Sequence, residues 1–161
     1  MATVKRLLVI AALTALLAVP AATAAPAALT KLTPAENTWA VPVVNLMKSL
    51  SGRAGAIRHQ VADPDVLTKG STARKKLDTT LRELILCGSR LKKDGLPPTA
   101  RLKPFYAALQ SACTYYMNGA AQLAVGIAKL NAPLIKQSSS TIKHGSTLLG
   151  LAQARLLPLA T

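Results

Sequence analysis

The sequence predicts an all-α fold: an antiparallel up-down-up-down four-helix bundle that follows a cleaved N-terminal signal peptide. Three observations carry this expectation. Apolar residues recur at spacings of three and four through four separate segments, with no strand-like alternation. Proline, glycine, aspartate and asparagine punctuate the chain between those segments, so the connections are short. The first 24 residues combine a basic start, an uncharged run and a small-residue end, the three parts of a secretory leader.

In that leader Lys5 and Arg6 supply the positive start, Leu7–Val19 the apolar run, Pro20 its break, and Ala22-Thr23-Ala24 the peptidase recognition residues. Cleavage is expected after Ala24, because a cut one residue later would place Pro26 just beyond the scissile bond. Leu7–Val19 is too short to cross about 30 Å of hydrocarbon. The leader contains no cysteine for lipidation, and Lys5-Arg6 is not an arginine pair, which points to the general secretion route. Leu157-Pro158-Leu159-Ala160-Thr161 lacks the Thr-Gly ending of a cell-wall anchoring motif. The expected product is secreted or extracytoplasmic, in the periplasm or cell wall, with no transmembrane span in its mature form. The expected organisation is a signal peptide over 1–24, a flexible segment over 25–33 and a bundle domain over 34–158.

The first helix is expected from about Pro34 to Val61. Thr33 as N-cap, Pro34 at N1 and Glu36 at N3 form a start signal. Trp39, Val43, Leu46, Leu50, Ala54, Ile57 and Val61 then make one apolar stripe. Pro42 either kinks this helix or marks its true first turn. Gly52 and Gly55 weaken it. Asp63-Pro64-Asp65 ends it, and a loop runs to Ser71.

Ser71 or Thr72 caps a second helix that reads through Lys93, with Leu77, Leu81, Leu84, Gly88 and Leu91 on its inner face. Gly88 on that face would let a neighbouring backbone come close. Asp94-Gly95 stops the helix, Gly95 suiting the C′ position. Pro97-Pro98 is a stiff connector. A third helix follows from about Thr99 to Leu130, its start slipping to Leu102 or Lys103 if Pro104 must lie in the first turn. Its stripe is Leu102, Tyr106, Leu109, Cys113, Tyr116, Ala120, Leu123, Ile127 and Leu130. Asn131-Ala132-Pro133 is a stop and restart. The fourth helix presents Leu134, Ser138, Ile142, Gly145, Leu149, Ala152 and Leu156 inward and is ended by Pro158. Ser138–Thr141 is a weak helical stretch where fraying is expected.

Cys87 and Cys113 are the chain's two cysteines, and in an oxidising compartment they are expected to form one disulfide. The bridge would staple the second helix to the third. Counted along the helices, the two positions are offset by roughly 6 Å, which the Pro97-Pro98 segment must absorb.

No constellation of catalytic residues emerges, and the chain is read as non-enzymatic. Asp63 and Asp65 flank a proline in a loop, as turn-forming aspartates do. Glu36 reads as a cap and Asp78 as an acid near a helix N-terminus. His59 and His144 lie off the apolar stripes, without the partners a nucleophile needs. A hydrolytic site would require Asp63, Asp65, His59 or Glu83 to converge. No metal site is expected, since a zinc site needs about four ligands and the only histidines beside the cysteine pair are His59 and His144. No cofactor is called for. The alternative is a carrier of an apolar ligand or haem in the bundle core, in a cavity lined by Trp39, Tyr106, Leu109 and Tyr116.

Charge is the one functional hint. The chain carries 20 Lys and Arg against six acids, a net +14, and loss of Lys5 and Arg6 with the leader leaves +12. Arg90, Lys92, Lys93, Arg101 and Lys103 cluster around the connection between the second and third helices. Arg74, Lys75 and Lys76 form a second cluster at a helix start, where the helix dipole disfavours cations. In an antiparallel bundle these clusters lie at opposite ends. These eight side chains are the candidate anion-binding residues, for an anionic envelope polymer or lipid headgroups. Sequence-specific nucleic-acid binding is not expected: the charge is spread, aromatics are few and the protein is exported.

Overall fold

Helix signals placed at regular intervals produce an all-helical chain. A computed structural model describes residues 31–160, over which five α-helices and two 3-10 turns follow one another with no strand. The leader expected over 1–24, and the first part of the 25–33 segment, lie outside the described residues.

Helix α1 (Pro34–Ala62) starts on the expected capping box. The Glu36 N–H donates to Thr33 Oγ1 (3.3 Å), and the Thr33 N–H donates back to the Glu36 carboxylate (2.9 Å). The helix runs through Pro42, so that proline is not its first turn. Pro42 has no N–H to give the Thr38 carbonyl, one missing bond in an otherwise continuous helix. A 3-10 turn (Pro64–Leu67) occupies the following loop, capped by Asp63, which accepts from the Asp65 N–H at 2.9 Å.

The second expected helix is two helices, α2 (Thr72–Ile85) and α3 (Cys87–Lys93). Ser71 caps α2 by accepting from the Arg74 N–H at 3.0 Å. The break falls at Leu86, whose ψ is −1°. Two neighbours account for it. Gly88 is a poor helix former. The Ser89 hydroxyl donates to the Leu86 carbonyl at 2.8 Å, sharing that carbonyl with the Arg90 N–H at 3.0 Å. Gly95 occupies the left-handed region at φ 78°, its N–H donating to the Lys92 carbonyl, and this terminates α3 as expected.

A 3-10 turn (Ala100–Leu102) leads into α4 (Lys103–Ala128), placing Pro104 in the first turn, where its missing N–H costs nothing. This later start, together with the extended connector, brings Cys87 and Cys113 to disulfide distance, with Cα atoms 5.2 Å apart. Leu130, expected on the inner stripe, lies beyond the helix at φ 50° and is exposed. Asn131 caps α5 (Ala132–Ala160), accepting from the Leu134 N–H at 3.0 Å. Pro158 does not end α5; so near the terminus its missing N–H removes only one bond from the last turns. Ser138–Thr141 is helical throughout, and the hydroxyls at its two ends donate to carbonyls of the preceding turn: Ser138 Oγ to Ile135 O at 2.8 Å, and Thr141 Oγ1 to Gln137 O at 3.0 Å.

The closest packing joins α4 to α5, which run antiparallel. Small residues recur every seventh position on both: Ala112, Gly119 and Gly126 on α4, and Ser138, Gly145 and Ala152 on α5, all buried. A Cβ on Gly119 would lie 3.0 Å from the Ile142 backbone N and 3.1 Å from the Ser138 carbonyl oxygen. A Cβ on Gly126 would lie 3.1 Å from the Ile135 N, and one on Gly145 3.0 Å from the Tyr116 ring. The two main chains therefore touch with no side chain between them. Gly88, expected to admit a neighbour, has open space around it.

Away from this seam, α1 packs on α2, α3 and α5, and α4 packs on α2 and α3. Leu50, Ile57, Leu81, Leu84, Phe105, Leu109, Tyr116 and Leu123 fill the centre. No helix among the described residues is long and apolar enough to cross a membrane.

Candidate anion-binding surface

The eight candidate cations divide by side-chain chemistry. The three arginines are engaged within the fold. Arg74 reaches one turn along α2 to Asp78, Nε to Oδ1 at 2.9 Å. That carboxylate offsets the unfavourable position of a cation at a helix start. Arg90 pairs with Glu83 at 2.5 Å across the α2–α3 break. Arg101 is held most tightly. Its Nε donates to Glu36 Oε1 at 2.7 Å, its Nη2 donates to Glu36 Oε2, and the same Nη2 reaches the Lys31 carbonyl at 3.1 Å.

Glu36 is the hub of this contact. Its side chain is fully buried and also accepts from the Thr99 hydroxyl at 2.5 Å. The Arg101 guanidinium, the Thr99 hydroxyl and the Thr33 N–H hold its carboxyl far below the usual carboxylate range, against the opposing effect of burial. The sequence marked Glu36 as a cap. The structure makes it both a cap and the anchor of the segment entering α4. Nothing in local sequence signals the second role, because Arg101 lies 65 residues away.

The five lysines behave differently. Lys75, Lys76, Lys92, Lys93 and Lys103 are all exposed, and none is in an ion pair among the described residues. Lys92, Lys93 and Lys103 share one end of the molecule with the start of α1 and the finish of α5. Trp39 Nε1 donates to the Gly95 carbonyl (3.2 Å), joining α1 to the connector after α3, and Arg155 Nη1 donates to the Pro104 carbonyl (2.8 Å), joining α5 to the start of α4. Lys31 and Arg155 thereby join the cluster. The place of Arg155 follows from antiparallel order, since a helix returning along α4 from Asn131 finishes beside Pro104. Lys75 and Lys76 project from the far end, at the start of α2.

The groups weighed for other chemistry are occupied separately. Asp63 caps a turn and Glu83 binds Arg90. His59 is exposed in the last turn of α1. His144 packs against Tyr115 with ring centroids 4.4 Å apart and the ring planes tilted by 58°. No three His, Cys, Asp or Glu side chains gather as metal ligands among the described residues. Trp39 meets the Phe105 ring edge-on at 6.0 Å and tilts against Tyr106 at 6.1 Å. Tyr116 lies against Gly145 with its hydroxyl 3.1 Å from Ser146 Oγ, and burial pushes its phenol up to about 12. These rings contact protein on the sides described. No protein-family model, curated protein or solved structure matches this chain.

Proposed function

We propose that this chain is an exported, non-enzymatic helical-bundle protein that attaches to anionic components of the cell envelope. It reaches that place by the general secretion route, losing a leader over 1–24. Its architecture is an antiparallel bundle of four rods, in which α2 and α3 form a single rod bent at Leu86. The arrangement of neighbours supports this, since α1 and α4 each pack against the α2–α3 rod while α5 packs against both.

One observation carries the functional reading: the three candidate arginines are each paired with a carboxylate, and the five candidate lysines are in no ion pair among the described residues. Asp78, Glu83 and Glu36 are taken up by Arg74, Arg90 and Arg101. Much of the surplus positive charge is left on exposed lysine ammonium groups, each a mobile point charge suited to non-specific contact with phosphate or carboxylate polymers. The cysteine pair at disulfide distance supports an oxidising, extracytoplasmic setting. The test is retention on an anionic polymer such as immobilised dextran sulfate. The protein is expected to bind at low ionic strength and to elute before about 0.5 M salt, where the Debye length falls to a few Å. Absence of binding at low salt, or retention well beyond that concentration, contradicts the reading.

A further inference from the structure

We propose that the α3–α4 connector is a membrane-docking tip, with Leu96 entering the interface of an anionic lipid bilayer while the lysines around it engage headgroup phosphates. The inference rests on the anionic-envelope reading and names the component that one end of the molecule meets.

Leu96 is 78% exposed, the most exposed of the large apolar side chains among the described residues. A lone exposed leucine is ordinary, and its setting is what distinguishes this one. Leu96 is followed by Pro97 and Pro98, neither of which has a backbone N–H. The apolar tip thus offers a single amide donor, which lowers the cost of moving its backbone out of water.

The tip is also held in place. Gly95 sits at φ 78° with its N–H on the Lys92 carbonyl, and the Gly95 carbonyl accepts from the indole of the buried Trp39. Cys87 and Cys113 tie the preceding helix to α4. Two prolines restrict the segment that follows. Leu96 is therefore presented to solvent by a fixed loop, and docking would require little further ordering.

Charge selects the kind of surface. Lys92 and Lys93 precede the tip and Lys103 follows it, while Lys31 lies beside Arg101 at the same end. All four are exposed. The acids at this end are Asp94 and Glu36, and Glu36 is buried against Arg101. Lysines in this position extend toward phosphates while their stems lie along apolar surface. Each is expected to strengthen binding to an anionic leaflet by about fivefold.

The experiment uses protein recovered from a secreting host, mixed with vesicles of equal parts phosphatidylglycerol and phosphatidylcholine, or of phosphatidylcholine alone. Flotation is expected to show binding to the first and little to the second. Leu96→Ala should weaken vesicle binding by about tenfold, the effect of removing a partly inserted leucine side chain, and leave elution from dextran sulfate unchanged. Lys92→Gln with Lys93→Gln should weaken binding by about 25-fold. In Leu96→Trp, emission should shift to the blue when anionic vesicles are added, against the constant background of Trp39. Equal vesicle binding by wild type and Leu96→Ala, or no shift in Leu96→Trp, overturns the proposal. Retention on dextran sulfate without vesicle binding also overturns it and leaves the anionic-envelope reading standing. Failure to bind either removes both.

Discussion

Replacing Gly119 with alanine tests the contact between α4 and α5, and Gly52→Ala is its control. Both glycines are helical, so each substitution gains the intrinsic preference of alanine, up to about 1 kcal/mol. At Gly52 nothing lies within 4 Å of the added Cβ, and the whole gain should be realised. At Gly119 the Cβ would lie 2.7 Å from Ile142 Cγ1, 3.0 Å from Ile142 N and 3.1 Å from Ser138 O. Ile142 Cγ1 can turn aside, but the two backbone atoms cannot. Restoring ordinary contact distances requires α5 to retreat by about 0.5–1 Å, a gap that forfeits roughly a quarter to a half of each neighbouring dispersion contact. Overpacking of this kind costs about 1–3 kcal/mol. The propensity gain is common to both, so the two variants should differ by the overpacking cost, about 1–3 kcal/mol, and Gly119→Ala should fall up to about 2 kcal/mol below wild type. For a domain of this size the difference between the variants is roughly 3–10 °C in Tm. Thermal and urea unfolding followed by circular dichroism read the difference. A Gly119→Ala protein as stable as Gly52→Ala would refute close contact of the two main chains.

Three further outcomes follow from particular residues. Leu130 holds a left-handed φ of 50° at the end of α4, so Leu130→Gly should raise stability by about 1 kcal/mol in urea unfolding. The cysteine pair closes a loop with a sequence separation of 26, so Cys87→Ala with Cys113→Ala should lower stability by about 3–4 kcal/mol in the chain-entropy picture. The Glu36 carboxyl titrates far below its usual 4.5 in the folded state, so its contribution is present above that value and is lost as pH falls toward the folded one. Glu36→Gln should therefore be less stable than wild type at pH 7 and lose less on acidification between about pH 4.5 and 2, as read by urea midpoints across pH.

Much of the fold was legible because its signals are local. Thr33 with Glu36, Ser71, Asp94-Gly95 and Asn131-Ala132-Pro133 each satisfy orphaned backbone groups within one turn, and the helices begin or end where those residues stand. The break at Leu86 was harder to see. Gly88 and Ser89 are tolerable singly in a helix, so neither marks a break by itself. The second stripe of α4, through Phe105, Ala112, Gly119 and Gly126, is invisible to a search for large apolar residues, because its interface is made by lacking side chains. Gly88 appeared to have that role, and only the position of the neighbouring helices shows that Gly119, Gly126 and Gly145 have it.

The candidate surface was legible as composition and not as geometry. Counting charges does not separate a lysine in water from an arginine bound to a carboxylate on another helix. Arg74 and Arg90 have acids within seven positions, so their pairing could be read from helical spacing. Arg101 could not, since its partner lies 65 residues earlier, in the first turn of α1. Leu96 was silent in the sequence, because a leucine beside two prolines carries no sign of whether it faces the core or solvent.

The central claim is that exposed, unpaired lysines at the two named clusters make the anionic contacts, beyond what total charge supplies. The most direct measurement compares salt concentrations at elution from dextran sulfate for two variants with the same change in net charge. One carries glutamine at Lys75, Lys76, Lys92, Lys93 and Lys103. The other carries it at Lys48, Arg53, Lys129, Lys136 and Lys143, which are also exposed. The first should elute at markedly lower salt than wild type and the second close to it. Equal shifts in both would show that charge anywhere on the surface serves as well, contradicting the assignment.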